Sequence, residues 1–313
     1  MKRAFVRSDL RKGATMIAVF WIMAVMGLAL VASLRIARYQ SSVAGSQMNG
    51  MEARQMAEMG VAIAANSQVQ KWDFLLQQNF DNDTGFRAKI LSEAGRFNIN
   101  YIVMTDDKPL LRLIFAEWGI DFDVSSEIAD ALVDWVDSDY DVQLNGAEFE
   151  YYQGLGYGET RPFNRPFYDL DEVRLVRGMD LIEAANPRWR DWFTVWSSGG
   201  LDPTEAPAEF IAIAAEGNIE DALQVVQIVD GADGIRHTED DQPIGAEEVM
   251  TIMGMTPDEQ GQFAFRFTRG NEITERIESI GYAGSVRRKI VLVIRNRTSG
   301  RPTILDRKEE TIQ

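Results

Sequence analysis

The 313-residue sequence contains no cysteine and a single histidine. Without thiols there are no disulfide staples, no thiolate metal sites and no thiol catalysis, so stability must come from packing, to which bound ions could add. Enzyme signatures are missing as well: there is no Gly-x-Ser-x-Gly elbow, no phosphate-binding glycine loop and no His-Glu-x-x-His. The one histidine, His237, lies in Gly234-Ile235-Arg236-His237-Thr238-Glu239-Asp240-Asp241, which reads as an exposed polar loop rather than as a base or a ligand. No pair of carboxylates is specified for general acid and base work, so the chain is not read as an enzyme. Positive charge is scarce, with 32 Lys and Arg against 48 Asp and Glu and a formal net charge of -16. Such a surface repels phosphates and argues against nucleic acid as a partner, while it favours divalent cations.

Long apolar runs are equally scarce, since one segment alone reaches membrane length. No residue from Ala14 to Leu34 is charged. At about 1.5 Å per helical residue this run covers roughly 30 Å, the hydrocarbon thickness of a bilayer. A soluble core helix would carry a polar face, which this run lacks. Lys2, Arg3, Arg7, Arg11 and Lys12 precede it against Asp9 alone. A leader this basic stays in the cytoplasm while the remainder crosses the membrane. Three readings of the segment stand open: an uncleaved signal anchor, a secretory signal cut near Ala32 and Ser33, and a prepilin leader cut ahead of the helix between Gly13 and Ala14.

The junction Lys12-Gly13-Ala14-Thr15-Met16, followed by the apolar run from Ile17 to Ala32, resembles the prepilin segment of type IV pilins and type II secretion pseudopilins. That resemblance implies cleavage after Gly13 by a membrane prepilin peptidase and N-methylation of Ala14. Most members carry a glutamate at the fifth mature position, where this chain has Ala18. Its absence, together with Trp21 in the middle of the helix, is similar to the K-type minor pseudopilins of type II secretion. By that resemblance the missing carboxylate, which elsewhere pairs with a neighbour's terminal amine, marks a subunit with no neighbour above it.

Past the membrane, Ala53, Met56, Ala57, Gly60, Val61 and Ala64 recur every three to four residues, which predicts a continuing helix with one face of small residues packed on a sheet. In Glu93-Ala94-Gly95-Arg96-Phe97-Asn98-Ile99-Asn100-Tyr101 the apolar positions alternate, which predicts a short half-buried strand, taken as the first of the sheet. From about Asp106 the pattern turns helical. Leu132-Val133-Asp134-Trp135-Val136-Asp137-Ser138-Asp139 with Gly146-Ala147-Glu148-Phe149-Glu150-Tyr151-Tyr152 resembles the K-type family's most specific motif outside the membrane, and Asn164 to Met179 resembles a further one. The loop between those halves concentrates Asp137, Asp139, Asp141, Glu148 and Glu150. Calcium takes six to eight oxygen ligands, so these are the candidate ligands of a structural calcium ion, as the resemblance also implies. The spacing is not that of an EF-hand, and a solvated acidic loop is the alternative.

Helices near residues 203–221 resemble helix-hairpin-helix or SAM-type modules. Glu205, Glu209, Glu216, Glu220 and Asp221 stand where a DNA-binding module would need cations, so protein packing is the better reading. The last 65 residues alternate as strands: Gln262 to Thr268, a turn at Arg269-Gly270-Asn271-Glu272, a strand near Gly281 to Ala283, Arg287 to Ile294, and an edge strand from Pro302 to Asp306.

The expected fold is α+β and pilin-like: a long N-terminal transmembrane helix packed on an antiparallel sheet, with a large inserted, mainly α-helical, SAM-like domain. Expected segments are a leader (1–13), a transmembrane helix (14–34), the rest of the long helix with the first strand (35–105), the helical insert (106–248) and the completing strands (249–313). The resemblance implies a K-type minor pseudopilin in the inner membrane, its globular region in the periplasm. It would form the tip of a short pseudopilus with minor pseudopilins I and J, then H and the major pseudopilin, and support export of folded proteins. No cofactor beyond structural calcium is implied. Two alternatives remain: a minor pilin of a type IV pilus or DNA-uptake system, and a membrane-anchored periplasmic hydrolase using the acidic loop.

Overall fold

The first 108 residues contain no proline, and Arg3–Ala64 forms one 62-residue α-helix, α1. These coordinates are a computed structural model describing residues 3–80, 83–157, 160–268 and 272–312. Met1 and Lys2 of the leader, the side chains through Ala14, and Arg269-Gly270-Asn271 of the expected turn lie outside the described residues. From Thr15 to Leu34 the side chains of α1 are exposed, as a helix awaiting lipid requires. From Ala53 onward one face is buried by the rest of the protein.

Two strands follow, β1 (Gln77–Phe80) and β2 (Thr84–Ser92). The chain then leaves the sheet. A two-residue strand β3 (Phe97–Asn98) runs into α2 (Ile99–Met104), α3 (Lys108–Glu117), α4 (Phe122–Val136), α5 (Phe149–Gly154), α6 (Leu170–Val173) and α7 (Met179–Ala185). Strand β4 (Phe193–Thr194) pairs in parallel with β3, and α8 (Ala208–Ala214), α9 (Ile219–Val229), α10 (Ala246–Ile252) and α11 (Pro257–Phe263) complete the insert. Strands β5 (Thr274–Ala283), β6 (Val286–Arg295) and β7 (Thr303–Ile312) then return to the main sheet. Its order is β1-β2-β5-β6-β7, with every neighbour antiparallel. The helical region is therefore threaded between two adjacent strands, β2 and β5.

Each half has its own apolar core. Phe86, Ala88 and Ile90 of β2, Ile277 of β5 and Ile290, Leu292 and Ile294 of β6 face Ala57, Val61 and Ala64 of α1. The small-residue stripe is this buried face. A second core fills the insert around Trp135, Trp189, Phe115 and Leu111. Salt bridges link the halves: Lys71, beyond α1, pairs with Glu205 of the insert, and Arg276 of β5 lies 3.9 Å from the fully buried Glu93.

Several expected elements differ. The segment from Phe97 to Tyr101 is not the first strand of the main sheet, which begins with β1 and β2 instead. Its strand stops at Asn98, because the Asn98 side chain accepts from the Tyr101 amide and caps α2. Asn100 exchanges two hydrogen bonds with the Phe167 backbone, at 2.8 and 3.0 Å. Phe263 to Phe267 is the end of α11 and a 3-10 turn, not a strand. His237 is half-buried, with Nε2 3.1 Å from Glu205, rather than free in solvent. Burial alone would raise Glu205, but the hydrogen bond with His237 and the charge of Lys71 outweigh it and hold the carboxyl at about 2.

Candidate functional site

The acidic loop hangs from the C-terminal end of α4. That helix is buried almost all round in its last two turns, from Ala129 to Val136. Trp135 anchors it: its indole N–H donates to Glu172 at 3.1 Å, and its ring meets Tyr152 edge-on at 5.1 Å and Phe163 at 5.4 Å. Glu172 is held in turn by Arg165, whose Nη1 lies 3.0 Å away, and by the Tyr168 amide. The Tyr152 hydroxyl accepts from the Arg177 amide, while the Arg177 guanidinium donates to the carbonyls of Asn145 and Gly146 and pairs with Glu127. Both ends of the loop are thus tied to a rigid aromatic core.

Asp130, Asp134 and Asp137 lie four and then three residues apart, which places them along one face of α4. Asp130 accepts from the Asn145 amide at 3.1 Å and from Lys108 at 2.8 Å. Asp134, fully buried, accepts from the Gln143 amide at 3.1 Å. Gly146 is required opposite it, since a Cβ there would stand 1.9 Å from Asp134 Oδ2. Two carboxylates thus fold the loop by taking its backbone amides.

Asp137 and Glu148 are not used up in this way. Asp137 Oδ1 and Glu148 Oε1 are both buried without a hydrogen-bond partner. Burial pushes the Asp137 carboxyl up to about 6, and the charges of Asp139 and Asp134 push it the same way. Burial likewise pushes Glu148 up to about 7, opposed by the hydrogen bond from the Phe149 amide and reinforced by Asp134, Asp137 and Asp139. Asp134 is also raised, chiefly by burial. A cation placed here would stabilise every one of these charges.

Of the sequence-predicted ligands, the structure brings Asp137, Asp139 and Glu148 into one electrostatic neighbourhood. Asp139 is exposed and accepts from the Asp141 amide at 2.9 Å, so it shapes the turn itself, and Asp141 acts more weakly on Asp137. Glu150 is exposed on the first turn of α5, apart from the buried oxygens. Asp134 adds its charge beside both buried carboxyls and Asp130 folds the loop, although sequence reasoning did not select them; their helical spacing with Asp137 was the available signal. Among the described residues, no three acidic side chains are already gathered at ligand distance around one point. The donor chemistry nevertheless fits a hard divalent cation: two buried carboxylate oxygens without donors and further carboxylates beside them. Asp137 and Glu148 would hold it first, with Asp134 and Asp139 supporting, and the ion would supply charge balance and loop rigidity.

Residues 95–188, which contain α4 and the acidic loop, match the family described as type II secretion system (T2SS), protein K. The type II secretion system protein K of Pseudomonas aeruginosa is 32% identical over 103 residues, covering 31% of this chain and 31% of that protein. The protein of the same description from Klebsiella pneumoniae is 34% identical over 108 residues, covering 32% and 33%. The chain thus spans about a third of the length of the curated relatives it matches. In overall fold it is similar to a chain in the crystal structure of the GspK-GspI-GspJ complex from the enterotoxigenic Escherichia coli type 2 secretion system. There the TM-score is 0.56 at 13% identity, over 88% of this chain and 99% of that one.

Proposed function

We infer that this chain, whose residues 95–188 match the type II secretion system protein K family, works as a minor pseudopilin. The observation that carries this reading is one of architecture. A single apolar helix, exposed over its membrane-length part, continues onto an antiparallel sheet, and the family's domain is inserted between two adjacent strands of that sheet.

The physical division of labour follows. The exposed apolar part of α1 anchors the chain in the inner membrane, and the basic leader keeps its start in the cytoplasm, so the sheet and insert occupy the periplasm. The prepilin peptidase cuts after Gly13 and Ala14 becomes the methylated amino terminus. The insert makes the subunit too bulky for the shaft of a narrow filament and suits it to the tip. The solved structure of similar fold is a GspK-GspI-GspJ complex, which supports the minor pseudopilins I and J as this chain's partners; H and the major pseudopilin would follow beyond them. With Ala18 in place of a glutamate, no intramembrane carboxylate needs a partner above it. The chain's work is structural rather than catalytic, and calcium at Asp137 and Glu148 stiffens the loop.

Mass spectrometry of the mature protein tests this. An N-methylated Ala14 as first residue is the expected result, together with loss of secreted proteins from the medium when the gene is deleted. An intact Met1, or a cut near Ser33, overturns the reading.

A further inference from the structure

A groove of about 710 Å³ lies in the insert between the end of α3 and helix α8, and none of its lining residues belongs to the acidic loop. Its walls include the indoles of Trp118 and Trp192, which meet edge-on at 5.1 Å, and the aliphatic side chain of Ile213. Its lining contains no Lys or Arg. Three carboxylates border it: Glu117 at the last residue of α3, Glu209 in the first turn of α8 and Glu216 just beyond α8. Glu216 is already committed, since Oε1 accepts from Arg266 at 2.9 Å. Among the described residues, Glu117 and Glu209 make no ion pair or hydrogen bond, and both are exposed. The indole N–H of Trp118 is buried with no acceptor.

We propose that this groove docks a basic-apolar segment of a partner protein, an arginine at the carboxylate mouth with adjoining aliphatic residues against the tryptophans. Charge complementarity selects the occupant. An unpaired acidic rim attracts cations, and the indole faces favour a guanidinium over an ammonium, because it stacks while still reaching a carboxylate with two nitrogens. The volume lies in the range of roughly 300–1,000 Å³ that accommodates a ligand of several side chains, more than one free cation fills. A second copy of this chain fits poorly, since each carries a formal charge of -16. A backbone carbonyl of the bound segment would satisfy the Trp118 N–H. This inference does not depend on the assembly role, because it uses no residue of α1, the sheet or the acidic loop.

The test uses the full chain in detergent micelles and a fluorescently labelled peptide amide, Arg-Leu-Leu-Arg, followed by polarisation. Saturable binding tighter than about 1 mM is expected, weakened roughly tenfold or more in the Glu117→Lys/Glu209→Lys variant and unchanged in Glu239→Lys. Both substituted residues are exposed and unpartnered, and far-UV circular dichroism will confirm that the variant is folded. Glu-Leu-Leu-Glu should not bind, and Arg-Ser-Ser-Arg should bind several-fold more weakly. The proposal is overturned by absence of saturation, by equal binding to the double variant, by equal binding of the serine peptide, or by arginine amide competing as well as the peptide, which would make the site one for a small cation.

Discussion

Arg297 grips Glu275 of β5 with two nitrogens, at 2.6 and 3.0 Å, while its third reaches the carbonyls of Asn66 and Val69 just beyond the end of α1, at 3.0 and 2.9 Å. The same nitrogen lies 3.4 Å from the Ala64 carbonyl, the last of α1, which lacks an intrahelical donor, and a cation there is stabilised by the helix dipole. Arg297 is 3% exposed, so the pair is a buried clamp between the membrane-anchored helix and the sheet. Removing one partner of such a pair leaves the other charge buried and alone. Arg297→Met should therefore lower the unfolding free energy by about 3 to 5 kcal/mol, and Arg297→Met with Glu275→Met should lose less than the single change. Urea denaturation of the three proteins measures both. A double variant that loses more than the single would contradict the clamp.

The same helix is seated by contact at two glycines. A Cβ on Gly281 of β5 would stand 2.0 Å from the Ala53 carbonyl oxygen, and one on Gly60 would stand 2.2 Å from Ser279 Oγ. At Gly281 the sheet meets the α1 backbone, and at Gly60 the helix meets the side chains of Ser279 and Phe86, with no room for a methyl group at either. Gly281→Ala should cost about 2 kcal/mol or more through displacement of α1. Gly45→Ala, in the same helix with nothing within 4 Å, should be neutral or stabilising by roughly 0.5–1 kcal/mol. The contrast in thermal midpoint between the two variants is the measurement.

Within the insert, Arg266 lies against Asp107 through two nitrogens, at 2.6 and 2.8 Å, and donates to the Ala214 carbonyl as well. Asp107 also caps α3 by accepting from the Leu110 amide. One guanidinium therefore joins the start of α3, the end of α8 and the turn after α11. Arg266→Lys keeps the charge but loses the fork, and should destabilise by about 2 kcal/mol. Hydrogen exchange at the Leu110 amide should accelerate in the variant; unchanged exchange there would show that the fork does not support the cap.

How far these arrangements were legible depends on whether local spacing matched the final environment. The stripe from Ala53 to Ala64 was readable because a helix on a sheet keeps one face for many turns. Phe263, Phe265 and Phe267 misled, since an alternating trio suggests a strand. Burial instead falls on Phe263 and Phe267, four apart, with Phe265 41% exposed. The competing signal was present upstream, in Pro257 at the first turn and the capping box between Thr256 and Glu259. Asn98 likewise sat in a strand-like alternation, and its capping bond to Tyr101 won. In the acidic loop the clustered carboxylates from Asp137 to Glu150 drew notice, whereas Asp134 looked like one more residue of an apolar helix. Its role depends on Gly146, twelve positions away, and chain proximity of that kind cannot be read from a local pattern.

The carboxylates of that loop also give the protein a pH dependence of definite sign. Asp137 and Glu148 have folded-state values of about 6 and about 7, above the roughly 4 expected in an unfolded chain. The folded state therefore binds more protons than the unfolded state between about pH 4 and pH 7, and these two groups make stability fall as pH rises through that window. In chelator, the thermal midpoint should decline from pH 5 to pH 7.5 more steeply in the wild type than in Asp137→Asn/Glu148→Gln. The same double variant should be the more stable protein at pH 7.5 without calcium, because its amides need not ionise in a desolvated site. Adding calcium should reverse the order: the wild type gains about 2.7 kcal/mol when free calcium is a hundredfold above its dissociation constant, and the variant gains little. Magnesium should substitute poorly, because it dehydrates reluctantly and demands a near-octahedral set that this loop does not offer ready-made. Equal pH slopes would remove the buried carboxylates as the cause, whereas equal calcium responses would move the ion away from Asp137 and Glu148.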